Sequence, residues 1–445
     1  MSAAAVPDGV ARRARSGLGL LVTAYVISLL AYGLVGLGQK GEVPGDLGPY
    51  ALGIGVAFLG GWLAVRFMAS RADPVLFPTA AVLAGLGMAL LYRLRPTVAG
   101  EQAVWLILGV ITFIVVLFVI RDDRRLDGYT YTIGLAGLIL LLLPIVPGIG
   151  FVENGARLWI RIGGYSFQPA EFGRILIVIF LASYLASRRE LLASGVGRFG
   201  LPRAKDLGPL LLAWGASLGV LFLERDMGAS LLLFGVFVVM IWVATGRWSY
   251  LVIGLVLLAL GAWLGYVAFD HVQTRVDYWL RALEPDKVHD FGYGQLAQSW
   301  FALASGGIVG TGIGQGSPDL IPFVASDFIF SAIGEELGLI GTTAMLLLYL
   351  IIIGRGLRTG IERQDSFGKL LAVGLTTVIA LQTFVIVAGV TRLIPLTGLP
   401  LPLVSYGGTS RVATFIILAL LVRLSAGRWD GVSIGRNKNN NKRVD

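Results

Sequence analysis

A chain of 445 residues that is 56% hydrophobic and only 14% charged, with a mean hydropathy of +0.79, cannot fold as an ordinary water-soluble globule. The absence of cysteine excludes disulfides and thiolate metal centres, and two histidines, His271 and His289, cannot form a histidine metal cluster. The net charge of +9 is a question of placement: the basic residues gather at helix ends, as positive-inside topology requires, which argues against a nucleic-acid partner and leaves membrane lipid as the secondary one.

Apolar runs of 18 or more residues recur along the chain, each able to cross a hydrocarbon core of ~30 Å as a helix, whereas a barrel would show alternating segments of about ten residues. The fold class is therefore an all-α integral membrane protein, a polytopic helical bundle. Twelve spans are predicted, near 16–37, 49–69, 75–93, 102–120, 129–147, 170–187, 208–224, 229–246, 249–268, 326–354, 369–391 and 404–424. The first follows Arg12, Arg13 and Arg15 as a signal peptide would, but at about 20 residues and without a small-residue cleavage site it is expected to stay as an anchor. An even number of spans puts both termini on one side. The terminal segments and even-numbered connections hold about twice as many Lys and Arg as the other side, so the termini, 1–15 and a disordered, low-complexity tail over 427–445, are expected to be cytoplasmic.

Between the ninth and tenth spans lies a polar, glycine-rich connection, 269–325, far longer than ordinary loops. It keeps Trp279, Tyr293, Trp300 and Phe301 and is expected to fold, outside the cytoplasm, as a functional element. Its Gly310-Thr311-Gly312-Ile313-Gly314 lacks the βαβ setting of a nucleotide loop. Asp122-Asp123, flanked by Arg121 and Arg124 on the cytoplasmic side, reads as a solvated helix connection, although it superficially resembles a metal-binding acid pair.

Six stretches, in order, resemble the SEDS family of RodA- and FtsW-like proteins. They are Asn154-Gly155-Ala156-Arg157-Leu158-Trp159, Gln168-Pro169-Ala170-Glu171, Arg225-Asp226-Met227-Gly228, Gly294-Gln295-Leu296-Ala297-Gln298-Ser299, Ser326-Asp327-Phe328-Ile329-Phe330 with Gly334-Glu335-Glu336-Leu337-Gly338, and Pro395 to Gly408. They cover about 75–426, which the resemblance marks as the membrane core of ten helices. The two spans over 16–69 are additional, as in actinobacterial members, and Val390-Thr391-Arg392-Leu393-Ile394-Pro395 leans toward the RodA-like branch.

The resemblance implies a multi-pass protein of the bacterial cytoplasmic membrane, a peptidoglycan glycosyltransferase that joins lipid II into a glycan still carried on undecaprenyl diphosphate, for elongation or division. It also implies a partner, a class B penicillin-binding protein (transpeptidase), packing against spans ten and eleven. A sugar hydroxyl needs a positioned carboxylate, and a leaving diphosphate needs positive charge or a divalent cation, Mg²⁺ or Mn²⁺. By the family context the carboxylate is Asp290, in Asp290-Phe291-Gly292-Tyr293-Gly294-Gln295; the loop is one residue shorter than the family's, which keeps Asp286 as a rival. Candidate substrate-binding residues are Arg157, Glu171, Arg174, Asp226, Arg275, Gln298 and Ser299.

Each has a plainer alternative. Glu171 and Arg174, at i and i+3, share a helix face and form either an intramembrane ion pair or a cavity wall; the family generally has Lys at the second position, and Arg offers a phosphate-matching fork. Arg157 and Arg275 serve equally as interfacial arginines. Asp226 suits a helix cap as well as a cavity role. Glu335 and Glu336 point about 100° apart on their helix and are not expected to face one pocket, so that one lines a cavity and the other makes a packing or partner contact. The 395–408 stretch is either an ordinary connection or an outer loop under the site, with Ser405 and Tyr406 exposed to it. A lipid II flippase and a non-catalytic scaffold stay open as functions, although polar residues gathered at the outer face favour chemistry over transport.

Overall fold

The computed structural model describes residues 8–153, 156–193, 208–224 and 226–427. The expected tail over 427–445 falls, beyond Gly427, outside the described residues, as does Arg225. The apolar runs are helices: α1 (Asp8–Lys40), α2 (Leu47–Met68), α3 (Leu76–Leu94), α4 (Pro96–Val119), the single turn α5 (Arg124–Asp127), α6 (Thr130–Leu142), α7 (Pro169–Ala193), α8 (Gly208–Glu224), α9 (Met227–Thr245), α10 (Trp248–Ala268), α11 (Asp270–Arg281), α12 (Tyr293–Gly306), α13 (Ile329–Glu362), α14 (Ser366–Val390) and α15 (Gly408–Gly427).

Among the described residues, ten helices are long and apolar enough to cross a membrane. The other two expected spans are shorter helices: α8 has 17 residues, and α6 has 13 before it tightens into a 3₁₀ turn, Leu143–Ile145, around Pro144. Burial separates centre from periphery. The apolar windows of α3 and α15 are 83% buried and that of α10 is 22% buried, so α3, α14 and α15 form the middle of the bundle and α10 faces outward. Lipid is as apolar as leucine, so packing and not hydrophobicity must hold such helices together. Gly87 of α3 illustrates this, since a Cβ there would sit 2.7 Å from the Val404 Cα. That close approach seats the 395–408 stretch inside the bundle.

Two connections between helices are ordered. Residues 150–167 fold as a three-stranded antiparallel sheet, β1 (Gly150–Glu153), β2 (Ala156–Ile162) and β3 (Tyr165–Phe167), in the order β1-β2-β3, with Phe151 opposite Trp159 and Ile160 opposite Phe167. The alternation Arg157-Leu158-Trp159-Ile160-Arg161-Ile162 and the pair Gly163-Gly164, both at positive φ, make a tight hairpin. The 269–325 connection is folded as expected, through α11, α12 and a 3₁₀ turn, Pro318–Leu320.

Helix α13 breaks at Gly338, where φ is +65° and ψ −164°. The backbone groups freed there are taken up by the glycine-rich loop: Leu339 N–H donates to Gly307 O at 3.0 Å, and Thr311 and Gly312 N–H donate to the carbonyls of Glu335 and Glu336 at 2.9 and 3.0 Å. The same loop crosses both side chains. Glu335 Oε1 accepts Ser317 N–H at 2.8 Å, and Glu336 accepts Gly314 N–H at 3.0 Å and Arg93 Nε–H at 2.9 Å. At the opposite end of the bundle the Asp122-Asp123 reading is corrected for one residue: Asp122 is exposed, but Asp123 is buried and paired with Arg363 at 2.5 Å, where α5 packs on α7 and α14.

Candidate functional site

The first turn of α7 places two buried charges side by side, Glu171 and Arg174, which form an ion pair. A carboxylate in a first turn also meets the positive end of the helix dipole. Neither Nε nor Nη1 of Arg174 has a hydrogen-bond partner among the described residues. Donors left dry are costly, so this guanidinium is underused by the fold itself.

Facing it is Glu224, the last residue of α8, fully buried, with no hydrogen-bond partner for either carboxylate oxygen among the described residues. Arg174 attracts its charge and Asp226 repels it. Asp226 caps α9, its Oδ1 accepting Ala229 N–H at 2.8 Å, and is 7% exposed. The cap and the acidic neighbourhood therefore hold together; the sequence left a choice between them.

Asp327 continues the cluster from the turn before α13. Burial pushes its carboxyl up to about 6, against the pull of Arg275 and a hydrogen bond from Ser326, with Asp226 adding a like charge. Arg275, on α11, donates Nη1–H to Leu396 O at 2.9 Å. Gly398, at φ +76°, lies against this pair: a Cβ there would be 3.5 Å from Arg275 Nη1 and 3.7 Å from Asp327 Oδ2.

The loop bearing Asp290 is fastened from below and left bare on top. Asp277 accepts a short hydrogen bond from the Tyr293 hydroxyl and has Lys287 and Arg281 each at 3.7 Å, so its carboxyl is held below the usual range, first by Tyr293 and then by the two cations. The Asp290 N–H donates to Lys287 O and the Asp290 carbonyl accepts Gly294 N–H, both at 2.8 Å, which fixes the backbone. The Asp290 side chain is exposed and has no hydrogen bond or ion pair among the described residues; Asp286 is exposed as well. Phe291 meets Phe323 edge-on at 6.4 Å, and the Phe323 carbonyl accepts the Ser326 and Asp327 N–H groups at 3.0 and 3.2 Å. The Asp290 loop thus rests on the turn that holds Asp327.

The 391–407 stretch is the platform. Arg392, at φ +60°, donates to Trp279 O and Leu280 O, each at 2.8 Å, while Trp279 Nε1–H donates to Arg392 O at 2.9 Å. Ser405 is buried, not exposed to the site; its hydroxyl donates to Ser326 O at 2.5 Å and accepts Leu401 N–H at 2.9 Å. A serine is needed there to tie the platform to the Asp327 turn.

Of the residues predicted from sequence, Glu171, Arg174, Asp226 and Arg275 come together, with Asp290 on the loop above. Arg157 instead lies on β2 and donates to Ile145 O at 3.4 Å. Ser299 meets Ser331 at 2.6 Å and binds α12 to α13, and the Gln298 Oε1 is buried without a hydrogen bond. Glu224 and Asp327 were missed as site residues. Both stand in or beside quoted motifs, and a carboxylate at the end of an apolar span is itself a signal.

A family model described as the cell cycle protein family of FtsW, RodA and SpoVE matches residues 82–429. The chain belongs to this family. It is similar to the peptidoglycan glycosyltransferase RodA of Mycobacterium tuberculosis, 46% identical over 438 residues that cover 95% of this chain and 92% of the relative. Among solved structures it is similar to a chain of a peptidoglycan synthase complex described as coordinating polymerization and crosslinking, with a TM-score of 0.65, 28% identity, and 80% of this chain and 98% of that chain covered. The rod shape determining protein RodA of Thermus thermophilus superposes with a TM-score of 0.55 at 26% identity, over the same shares of the two chains. The protein is accordingly a multi-pass, helical protein of the cytoplasmic membrane.

Proposed function

We propose that the protein is a peptidoglycan glycosyltransferase that polymerises lipid II at the outer face of the membrane. The observation that carries the residue assignment is the exposed carboxylate of Asp290, unpaired among the described residues, on a pinned backbone that packs through Phe291 toward the turn holding Asp327, in a neighbourhood where buried Arg174 keeps two donors without partners among the described residues. In the reaction an acceptor sugar hydroxyl attacks the anomeric carbon of the donor glycan. The new glycosidic C–O bond forms as the bond from that carbon to the diphosphate breaks, and Asp290 takes the hydroxyl proton. Positioned bases of this kind contribute about 10²–10⁴-fold. Arg275 and Arg174 stabilise the diphosphate as its charge grows; Arg157, away from the cluster, serves at most the outer approach.

A divalent cation, Mg²⁺ or Mn²⁺, fits this reading. Among the described residues no three acidic or His side chains converge as a metal cage, but Mg²⁺ is commonly held by one or two carboxylates plus substrate phosphate. Asp327 and Asp226 would hold it, and the ion would supply Lewis-acid neutralisation of the leaving diphosphate.

In this reading twelve helices cross the membrane with both termini cytoplasmic, α1 and α2 are an addition to a core over 75–426, and a single-span class B penicillin-binding protein packs on α13 and α14. Outward-facing Leu347, Leu350 and Phe384, each more than half exposed, suit a helix partner. The test is glycan synthesis from lipid II by purified protein, with and without its partner and with Mg²⁺ or chelator. Absence of glycan under every condition would reject the enzyme assignment and favour a flippase or scaffold.

A further inference from the structure

At the end of the bundle opposite Asp290, the structure forms a half-open polar cavity of about 370 Å³. Its walls come from the turn after α2 (68–71), the turn between α4 and α5 (121–124), Arg363 after α13, and the end of α15 (423–427). Five arginines line it against two aspartates, a formal +3. The aspartates are already engaged: Asp123 is paired with Arg363 at 2.5 Å, and Asp122 Oδ1 accepts the Arg124 N–H at 3.1 Å.

Arg363 is paired with Asp365 as well, at 2.8 Å, but three of the arginines are less fully used. Arg423, 9% exposed, closes the ends of two helices, donating to Met68 O at 2.8 Å and Leu117 O at 2.5 Å, and its buried Nε–H has no hydrogen-bond partner among the described residues. The Arg124 guanidinium, exposed at the mouth, makes no hydrogen bond or ion pair among them, and Arg121 spends only one donor, at 3.4 Å, on Phe118 O. Positive-inside topology accounts for arginines scattered at helix ends. It does not account for several arginines converging on one half-open recess or for a dry guanidinium N–H in its wall, which the fold tolerates at a cost.

We propose that this cavity is a binding site for a phosphate group, offered either by the head group of an anionic phospholipid or by a soluble phosphate. The guanidinium fork matches phosphate oxygens in pairs, and a cavity at the membrane boundary is open to both sources.

The test uses full-length protein in two arms. In the first, protein in nanodiscs of phosphatidylglycerol and phosphatidylcholine is released and its retained lipid read by native mass spectrometry. In the second, inorganic phosphate is titrated against protein in uncharged detergent. The variant Arg121→Glu/Arg124→Glu alters the cavity mouth; Arg125→Glu/Arg188→Glu reverses two exposed arginines at the same end but outside the cavity. Retention of phosphatidylglycerol that falls about tenfold or more in the first variant and not in the second identifies a lipid head group. Phosphate binding with that same pattern, without lipid preference, identifies a soluble phosphate. Equal losses in both variants, or binding in neither arm, would overturn the site.

Discussion

Two sets of carboxylates share one end of the bundle and differ in what surrounds them. Asp290 and Asp286 are exposed on a loop whose backbone is fixed while their side chains are unpaired among the described residues. Glu171, Glu224, Asp226 and Asp327 lie below, in contact with or within electrostatic reach of Arg174 and Arg275. A group that must take a proton from an arriving hydroxyl needs access. Groups that hold a charged substrate or ion gain strength from being dry, but they are tied to stability, because each charge depends on its neighbour.

The largest effect that separates the two sets is expected from Arg174→Ala, which leaves Glu171 buried without its partner beside Glu224. A loss of about 3–5 kcal/mol is expected, seen as a large drop in the thermal midpoint together with lost activity. An unchanged midpoint would show that the pair carries no structural weight.

Asp327→Asn is expected to move stability and activity in opposite directions. The carboxyl is raised from an ordinary 3.8 to about 6, so the folded state binds the extra proton and its stability falls as pH rises from about 4 to about 6, then levels. At pH 7.5 the variant should be more stable, by up to about 3 kcal/mol, with a flatter profile between pH 4 and 6 and lower polymerisation. A variant that is less stable at pH 7.5 would contradict the desolvated environment assigned to Asp327.

A smaller effect is expected from Asp277→Asn, which weakens the clasp of Tyr293, Lys287 and Arg281 beneath the Asp290 loop without touching the cluster. The wild-type carboxyl is held below its usual range, so its contribution is present at neutral pH and is lost only as pH falls below the ordinary carboxylate range. The variant should show faster amide exchange over 286–292 with the rest of the bundle unchanged. Unaltered exchange there would mean that the clasp does not order the loop.

How far these features could be read from sequence depends on their range. Apolar runs of membrane length located the helices but not all their ends, since polar turns extend some beyond the apolar run, as in α13, which continues to Glu362 where the run stops at 354; Asp226 signalled its cap. The hairpin over 150–167 was legible in its alternation and its Gly163-Gly164 pair, but the surrounding apolar runs dominated the reading. Contacts between distant segments were not legible. Arg392 meets Trp279 across 113 positions, and Arg93 meets Glu336 across 243. Nor could helical spacing reveal that a break at Gly338 lets one loop engage both Glu335 and Glu336. Glu224 stood out only once the fold brought it beside Arg174 and Asp226.

The central claim is that the exposed, unpaired Asp290 is the base of the polymerisation reaction. Its most direct test is lipid II polymerisation by purified wild-type, Asp290→Ala and Asp286→Ala proteins with their penicillin-binding partner and Mg²⁺, at matched folding. Glycan from wild type and Asp286→Ala, with a loss of about 10²-fold or more in Asp290→Ala, is the predicted result. Full activity in Asp290→Ala, or loss confined to Asp286→Ala, would contradict it.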